Sequence, residues 1–313
     1  NSLEEASEIS NEIGYPIMIK ASAGGGGKGM RIVNCEKEMK DGFLRASSEA
    51  KKSFGDDRVF IEKFIEKPRH IEIQVLADNF GNIITLGERE CSIQRRNQKI
   101  IEEAPSSFLD NKLRNKMSDQ AIKLARSVNY KSAGTVEFVV DHNKNFYFLE
   151  MNTRLQVEHP VTELITGIDI VREMINIAYN KKLKITQNDV SFNGWAFESR
   201  IYAEDPHKDF LPSVGRLIRY SPPTEKRTKS IVIRNDTGVK EGDTISIYYD
   251  PMIAKLSTWG KNRDDAIRIM TDSLDKFVIE GVKNNISFLS SVFQNKSFEN
   301  GKISTLFINQ NFP

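Results

Sequence analysis

Tyr15-Pro16-Ile17-Met18-Ile19-Lys20, Gly24-Gly25-Gly26-Gly27-Lys28-Gly29 and Met30-Arg31-Ile32-Val33 follow one another with only three residues to spare. The outer stretches are short, apolar runs that read as strands, and the middle one reads as a loop. Glycine N–H groups with no Cβ in front of them can lie directly against phosphate oxygens, and Lys28 adds charge. Gly24, Gly26 and Gly29 match G-x-G-x-x-G, but a dinucleotide loop must open a helix and this one opens a strand. Walker A fails too, because Gly29 follows Gly27-Lys28 where a metal-binding hydroxyl is needed. A lid over phosphate and an unliganded hairpin remain, and Lys20 at the end of its strand favours the lid.

Outward from this loop the pattern is α+β. Upstream, Ser2-Leu3-Glu4-Glu5 is a capping box for a short helix ending near Gly14. Downstream, Met39, Phe43, Ala46 and Ala50 mark a helix, and Arg58 to Ile65 a strand. Residues 69–77 and 82–88 form a hairpin about Asp78-Asn79-Phe80-Gly81. Leu113 to Val128 and Ile170 to Ala178, the latter capped by Asp169, are amphipathic helices. The polar, aperiodic stretch Lys181 to Asn193 marks a boundary, giving domains at 1–65, 66–190 and 191–313. Beyond it, strands at Trp195 to Tyr202 and Ile231 to Arg234 precede helices at Asp264 to Phe277 and Asn285 to Phe293.

Composition excludes more than it selects. The 313 residues are 39% hydrophobic, enough for a sizeable core. With 45 Lys and Arg against 43 Asp and Glu, nothing global attracts nucleic acid or an anionic membrane. The basic run Gln94-Arg95-Arg96-Asn97-Gln98-Lys99 lacks interleaved aromatics and better suits a phosphate or carbonate pocket. No apolar run approaches the roughly 20 residues of a membrane span. Cys35 and Cys91 form no metal-spaced cluster and fit a reducing compartment.

Residues 134–140 and 146–152 read as a second hairpin. A symmetric turn places Glu137 opposite Glu150, on one face with Val139, Phe148 and Asn152. Opposed carboxylates about 5 Å apart destabilise a sheet unless a cation lies between them. Two carboxylates and an amide oxygen suit Mg²⁺ or Mn²⁺; a bulge turning one Glu to solvent is the alternative. The strand runs on into Asn152-Thr153-Arg154-Leu155-Gln156-Val157-Glu158-His159-Pro160. Arg154 can hold a planar anion in a two-point grip, and Glu158 can take its proton. His159, ahead of Pro160, reads as a structural residue.

Taken together, Lys20 to Gly29, Glu62-Lys63-Phe64, Pro68-Arg69-His70, Glu88 to Ser92, Gln94-Arg95-Arg96, Glu150 to Pro160, Glu198-Ser199-Arg200 and Tyr249 to Leu256 resemble the ATP-grasp biotin carboxylases over nearly the whole chain. Ser92 to Lys99 and Ile247 to Met252 look most like the α subunits of propionyl-CoA carboxylases. The resemblance implies an ATP-grasp fold, with a partial lid subdomain and an antiparallel-sheet catalytic subdomain, followed by a biotin carboxylase C-terminal domain. It implies that Lys20, Gly25, Gly26, Gly27, Lys28, Gly29, Met30, Glu62, Lys63, Ile65, His70, Gln94 and Asn97 hold ATP, with Lys63 and Ile65 offering backbone groups to adenine. Glu137, Glu150 and Asn152 would hold Mg²⁺ or Mn²⁺. Lys99, Arg154, Gln156, the Val157 backbone and Glu158 would bind bicarbonate, with Glu158 as base, and Arg200 would steady the biotin oxygen.

The same resemblance implies that the chain starts after a Rossmann-like domain and a further ATP-contacting Lys, so that alone it should be weak or inactive. No Ala-Met-Lys-Met occurs, so biotin would arrive on a carrier domain, with a carboxyltransferase subunit as further partner in an oligomeric enzyme. The expected compartment is the cytoplasm, or the mitochondrial matrix of a eukaryote. Another ATP-grasp ligase and a non-catalytic nucleotide-binding module are the rival readings.

Overall fold

The computed structural model describes residues 2–24 and 29–312. Gly25, Gly26, Gly27 and Lys28, and with them the heart of the expected phosphate loop, lie outside the described residues. The chain forms two compact units, one ending at Lys67 and the other beginning at Pro68.

In the first unit the Ser2 hydroxyl caps α1 (Leu3–Ile13) by accepting from the Glu5 N–H at 3.2 Å, and Gly14 closes the helix at φ 79°. β1 (Ile17–Ala21) pairs antiparallel with β2 (Met30–Val33) on one side and β3 (Val59–Lys63) on the other. The two apolar runs on either side of the glycines are therefore antiparallel neighbours, as their strand-like sequences require. α2 (Glu36–Phe54) lays Met39 and Ala46 on the buried Ile17, Ile19 and Val33. Ile17 and Ile19 point one way from β1, which leaves Met18 and Lys20 on the opposite face.

The second unit is built on a nine-stranded sheet in which every neighbouring pair is antiparallel. Its order runs from Lys226–Arg227 through Ile231–Thr237 and Met252–Gly260 to β9 (Trp195–Tyr202), β6 (Gln98–Ala104), β5 (Ile83–Arg95), β4 (Arg69–Ala77), β7 (Ser132–Val140) and β8 (Phe146–Asn152). Strands from 66–190 and from 191–313 thus share one sheet, joined where β6 pairs with β9.

Strict alternation sorts this sheet into an apolar and a polar face. Ile71, Ile73 and Val75 of β4, with Val136, Phe138 and Val140 of β7, pack under α3 (Asn111–Ser127) through Leu113, Met117, Ala121 and Ala125. The intervening residues His70, Glu72, Gln74, Thr135 and Glu137 face the other way and are buried as well. Over that polar face lie the loop from Thr153 to Glu158 and α4 (His159–Thr166), followed by α5 (Ile170–Ala178), whose Asp169 cap accepts from the Arg172 N–H at 2.8 Å. On the β9 side, Phe197, Ile201 and Leu256 pack against α6 (Arg263–Leu274) and α7 (Ile286–Phe293). No helix among the described residues is long and apolar enough to cross a membrane.

Three features depart from the sequence reading. The basic run 94–99 is a hairpin, with Arg96 and Asn97 as its two-residue turn at φ 52° and 64°. This is the left-handed geometry such turns demand. His159-Pro160 begins a helix instead of merely closing a turn, with Pro160 in the first turn, where its missing N–H costs nothing. Finally, Phe148 does not share a face with Glu150. It pairs with Phe138, the two rings 6.5 Å apart, on the apolar side. Leu149 is an extra residue in β8, and this bulge, between the pairs Glu137↔Glu150 and Phe138↔Phe148, brings Glu150 opposite Glu137. A regular ladder would have set Leu149 there.

Candidate active site

The polar face of the second unit centres on Lys99. Its Nζ lies 2.5 Å from Glu72 Oε2, 3.0 Å from Glu137 Oε1 and 2.8 Å from Glu158 Oε1. Three strands and a loop supply these groups, which is why sequence spacing does not reveal them as neighbours. Burial disfavours the ammonium, but the Glu72, Glu158 and Glu137 carboxylates around it outweigh that penalty and keep Lys99 protonated.

Each carboxylate has further partners. Glu72 Oε1 accepts from Arg89 Nε at 2.5 Å, and Arg89 also donates to Gln74, Thr135, Gln156 and Thr162. This is a fully buried guanidinium with its donor fork satisfied, the condition under which such a charge is tolerated. Burial pushes Glu72 up, but Lys99 and Arg89 hold it below the ordinary carboxylate range. Glu137 likewise sits well below that range: burial raises it, and the contacts with His70 at 2.5 Å and with Lys99 more than reverse the effect. Gln156 Nε2 and Asn152 Nδ2 also donate to Glu137 Oε1, at 2.5 and 2.7 Å.

Glu158 stands between two cations. Its Oε1 meets Lys99 and its Oε2 meets Arg200 Nη2 at 2.9 Å. It occupies the N-cap position of α4, yet its side chain makes no capping bond. That leaves the carboxylate to the two cations. Arg200 in turn rests on Glu102 Oε1 at 2.6 Å. The pairing is diagonal across β6 and β9, whose direct register sets Glu102 opposite Glu198.

The structure gathers Lys99, Gln156, Glu158, Arg200, Glu137, Asn152, His70 and Gln94, the last through a 2.9 Å bond to His70 Nδ1. Arg154 is not among them: it is exposed and donates to the Leu155 carbonyl at 3.2 Å. The Val157 carbonyl already accepts from Lys255 Nζ at 2.6 Å, which leaves its N–H as the backbone group for an anion. Asn97 is at the exposed tip of its hairpin, while Arg95 and Arg96 pair with Glu204 and Asp209. Of the cations in that run, Lys99 alone meets Glu72, Glu137 and Glu158, since Arg95 and Arg96 are paired elsewhere. His159 Nδ1 bonds to the Gln156 carbonyl at 2.8 Å and burial lowers its pKa, so it remains a neutral structural residue.

For a divalent ion, Glu150 and Asn152 lie on the rim beside Glu137, Asn152 Nδ2 being 3.5 Å from Glu150 Oε1. A half-turn of the amide presents its oxygen to a cation instead, so the donor set fits a hard metal. In the first unit Lys20 pairs with Glu62. Met30 lies opposite Lys20, and Gly29, at φ 70°, would meet the Ala21 Cβ at 2.8 Å if it carried a Cβ of its own. Lys63 Nζ binds the Gly14 and Tyr15 carbonyls at 2.7 and 3.1 Å, where α1 ends, and Ile65 lies two residues beyond β3.

The reading from sequence missed Glu72, Arg89 and Glu102. The signal for Glu72 was available: His70, Glu72 and Gln74 recur at every second residue, a polar stripe as regular as the apolar stripe it alternates with.

Residues 1–186 match the family described as carbamoyl-phosphate synthase L chain, ATP binding domain, and residues 198–310 the biotin carboxylase C-terminal domain. The propionyl-CoA carboxylase alpha chain of Ruegeria pomeroyi is 58% identical over 99% of this chain, which spans 48% of that protein. Biotin carboxylase 1 of Bacillus subtilis is 50% identical, with 98% of this chain and 67% of that one covered. Among solved structures, the biotin carboxylase domain dimer of Hydrogenobacter thermophilus 2-oxoglutarate carboxylase, in complex with MgADP, ADP and bicarbonate, superimposes with a TM-score of 0.92 at 46% identity, covering 99% of this chain and 67% of that one.

Proposed function

The chain belongs to the biotin carboxylases, an ATP-grasp fold followed by the family's C-terminal domain, and on that footing we propose that it carries the ATP- and bicarbonate-dependent carboxylation of biotin in an acyl-CoA carboxylase of the propionyl-CoA type. The observation that carries this reading is Glu158 held between Lys99 and Arg200. A carboxylate bridging two fixed cations is a base with an anion site beside it. When bicarbonate displaces part of this network, Lys99, Gln156 and the Val157 N–H hold its oxygens, and Glu158 takes its proton.

The deprotonated oxygen then attacks the γ-phosphorus of ATP, ADP leaves, and carboxyphosphate forms; its breakdown gives CO₂ and phosphate. Glu137, Glu150 and Asn152 would hold Mg²⁺ or Mn²⁺, which supplies charge neutralisation at the phosphates. Nucleotide contacts would come from Lys20, Gly29, Met30, Glu62, Lys63, Ile65, His70 and Gln94, the positions that match the family's motifs. The released phosphate would take the proton from the biotin ring nitrogen, which then bonds to CO₂, and Arg200 is left to steady the negative charge that develops on the biotin oxygen. Arg154, exposed and bonded to the Leu155 carbonyl, would reach the anion only by moving once substrate is bound. Biotin would be presented by a carrier domain, and a carboxyltransferase would accept the product. We keep the division at 1–65, 66–190 and 191–313 as part of the same proposal, as segments of the sequence, the last two completing one sheet between them.

Bicarbonate-dependent ATP cleavage by the full-length chain, with and without free biotin, tests the reading. Biotin should stimulate turnover; no stimulation would sink it. Glu158→Gln should reduce the bicarbonate-dependent rate by about 10²–10⁴-fold, as expected for loss of a general base, with nucleotide binding measured by calorimetry unchanged.

A further inference from the structure

Behind Arg200 lies a pair of carboxyls that the proposed chemistry does not use. Glu102 and Glu198 face each other directly across β6 and β9, and both are 0% exposed. Opposed residues on one face bring their Cβ atoms to about 5 Å. Glu102 spends Oε1 on Arg200, and Glu198 spends Oε2 on the Ser257 hydroxyl at 2.8 Å. The remaining oxygens, Glu102 Oε2 and Glu198 Oε1, have no partner among the described residues. Two buried acceptor oxygens in neighbouring side chains, neither with a donor, cost free energy unless a proton lies between them.

We propose that Glu102 and Glu198 share one proton, forming a singly charged acid pair that positions Arg200. The protonated carboxyl donates to the other, which satisfies both orphaned oxygens with a single hydrogen. One negative charge is left to face the guanidinium, so Arg200 Nε and Nη2 are held on Glu102 Oε1 while Nη2 also reaches Glu158 Oε2. The role given to Arg200 rests on the proposed function; the shared proton does not.

The surroundings support a retained proton. Burial pushes Glu102 up to about 7 against the pull of Arg200, and Glu198 up to about 8 against the pull of Lys255. The charged and titratable groups facing the pair are Lys99 on β6, Cys91 on β5, Arg200 and Tyr202 on β9, Lys255 on the next strand, and Glu158 at the start of α4. Arg200 is already shared with Glu158, and Lys255 with Asp236 and the Val157 carbonyl. Neither cation is free to neutralise a second full charge. As pH rises the pair loses its proton, and a second buried negative charge then competes with Glu158 for Arg200.

Infrared spectra of the full-length chain between about pH 6 and about pH 9, a window that brackets both groups, test the proton directly. A protonated-carboxyl C=O band should be present at the lower pH, vanish at the higher, and be missing at both in Glu198→Gln. The amide of that variant supplies a permanent donor in place of the proton. The alkaline fall in biotin-stimulated turnover should therefore be at least threefold shallower in Glu198→Gln than in the unsubstituted chain, with the bicarbonate KM following the same pH course. Glu102→Gln removes the band from the other side and serves if Glu198→Gln does not fold. Absence of the band from the unsubstituted chain, or its persistence in either variant, overturns the proposal. A band that behaves as described in a chain that biotin fails to stimulate overturns the proposed function and leaves the shared proton standing.

Discussion

At the scale of single residues, Lys99 matters most, because three buried carboxylates depend on it. Lys99→Met should cost roughly 3–5 kcal/mol, the penalty for leaving buried charge unpaired, whereas Lys99→Arg, which keeps the charge, should cost less. Denaturant unfolding measures both. The pH dependence has a definite sign. The folded-state pKa values of Glu72 and Glu137 are depressed, so their contribution is complete above the unfolded value of about 4.3 and is lost as pH falls through the folded ones. Acid unfolding should therefore set in below about pH 4, and Lys99→Met should move its midpoint to higher pH. The candidate residues named from sequence came mostly from a resemblance, and geometry separates them. Lys99, Gln156, Glu158 and Arg200 meet in one cluster, while Arg154 and Asn97 stay at the surface. Nothing in the local sequence distinguishes Arg154 from Arg200, since what differs is a strand pairing more than forty residues away.

Among elements, the alternating strands and capped helices were legible because their signals are local. Ser2 and Asp169 cap the helices they precede, and β4 and β7 alternate as written. The β8 bulge was not legible, since an extra residue shows only against a partner strand. Nor was β6, whose charged start masked its apolar continuation. Glycines at element ends give a test of how tightly these joints are made. Gly167 closes α4 at φ 72° with nothing within 4 Å of where a Cβ would sit, so Gly167→Ala should cost only the left-handed backbone penalty of about 1 kcal/mol. Gly260, between its strand and α6, would set a Cβ 2.7 Å from the Ala266 backbone nitrogen. Gly260→Ala should cost more, about 2 kcal/mol or above, since backbone has to move. Equal midpoints for the two variants in urea would contradict this account.

For the molecule as a whole, the shared sheet decides where the chain can be divided. A cut after residue 190 strips β9 from β6, bares the edge at 101–104 and leaves Glu102 and Glu103 without Arg200 and Arg263. An open edge with buried charge behind it invites aggregation. Residues 68–190 alone should therefore be insoluble or unfolded by circular dichroism and gel filtration, and a folded monomer would disprove the expectation. The polar stretch Lys181 to Asn193 marks a change of composition while hydrogen bonding continues across the sheet, which is why composition alone could not reveal the continuity. The β6–β9 seam also has a consequence for heredity. It joins the two segments that match separate families, so the two halves of Glu102–Arg200 and of Glu103–Arg263 are encoded in different segments. A chimera joined between the two segments should therefore keep its stability only where the acids brought by one parent meet the arginines brought by the other, so the seam would tie the inheritance of one segment to that of the other.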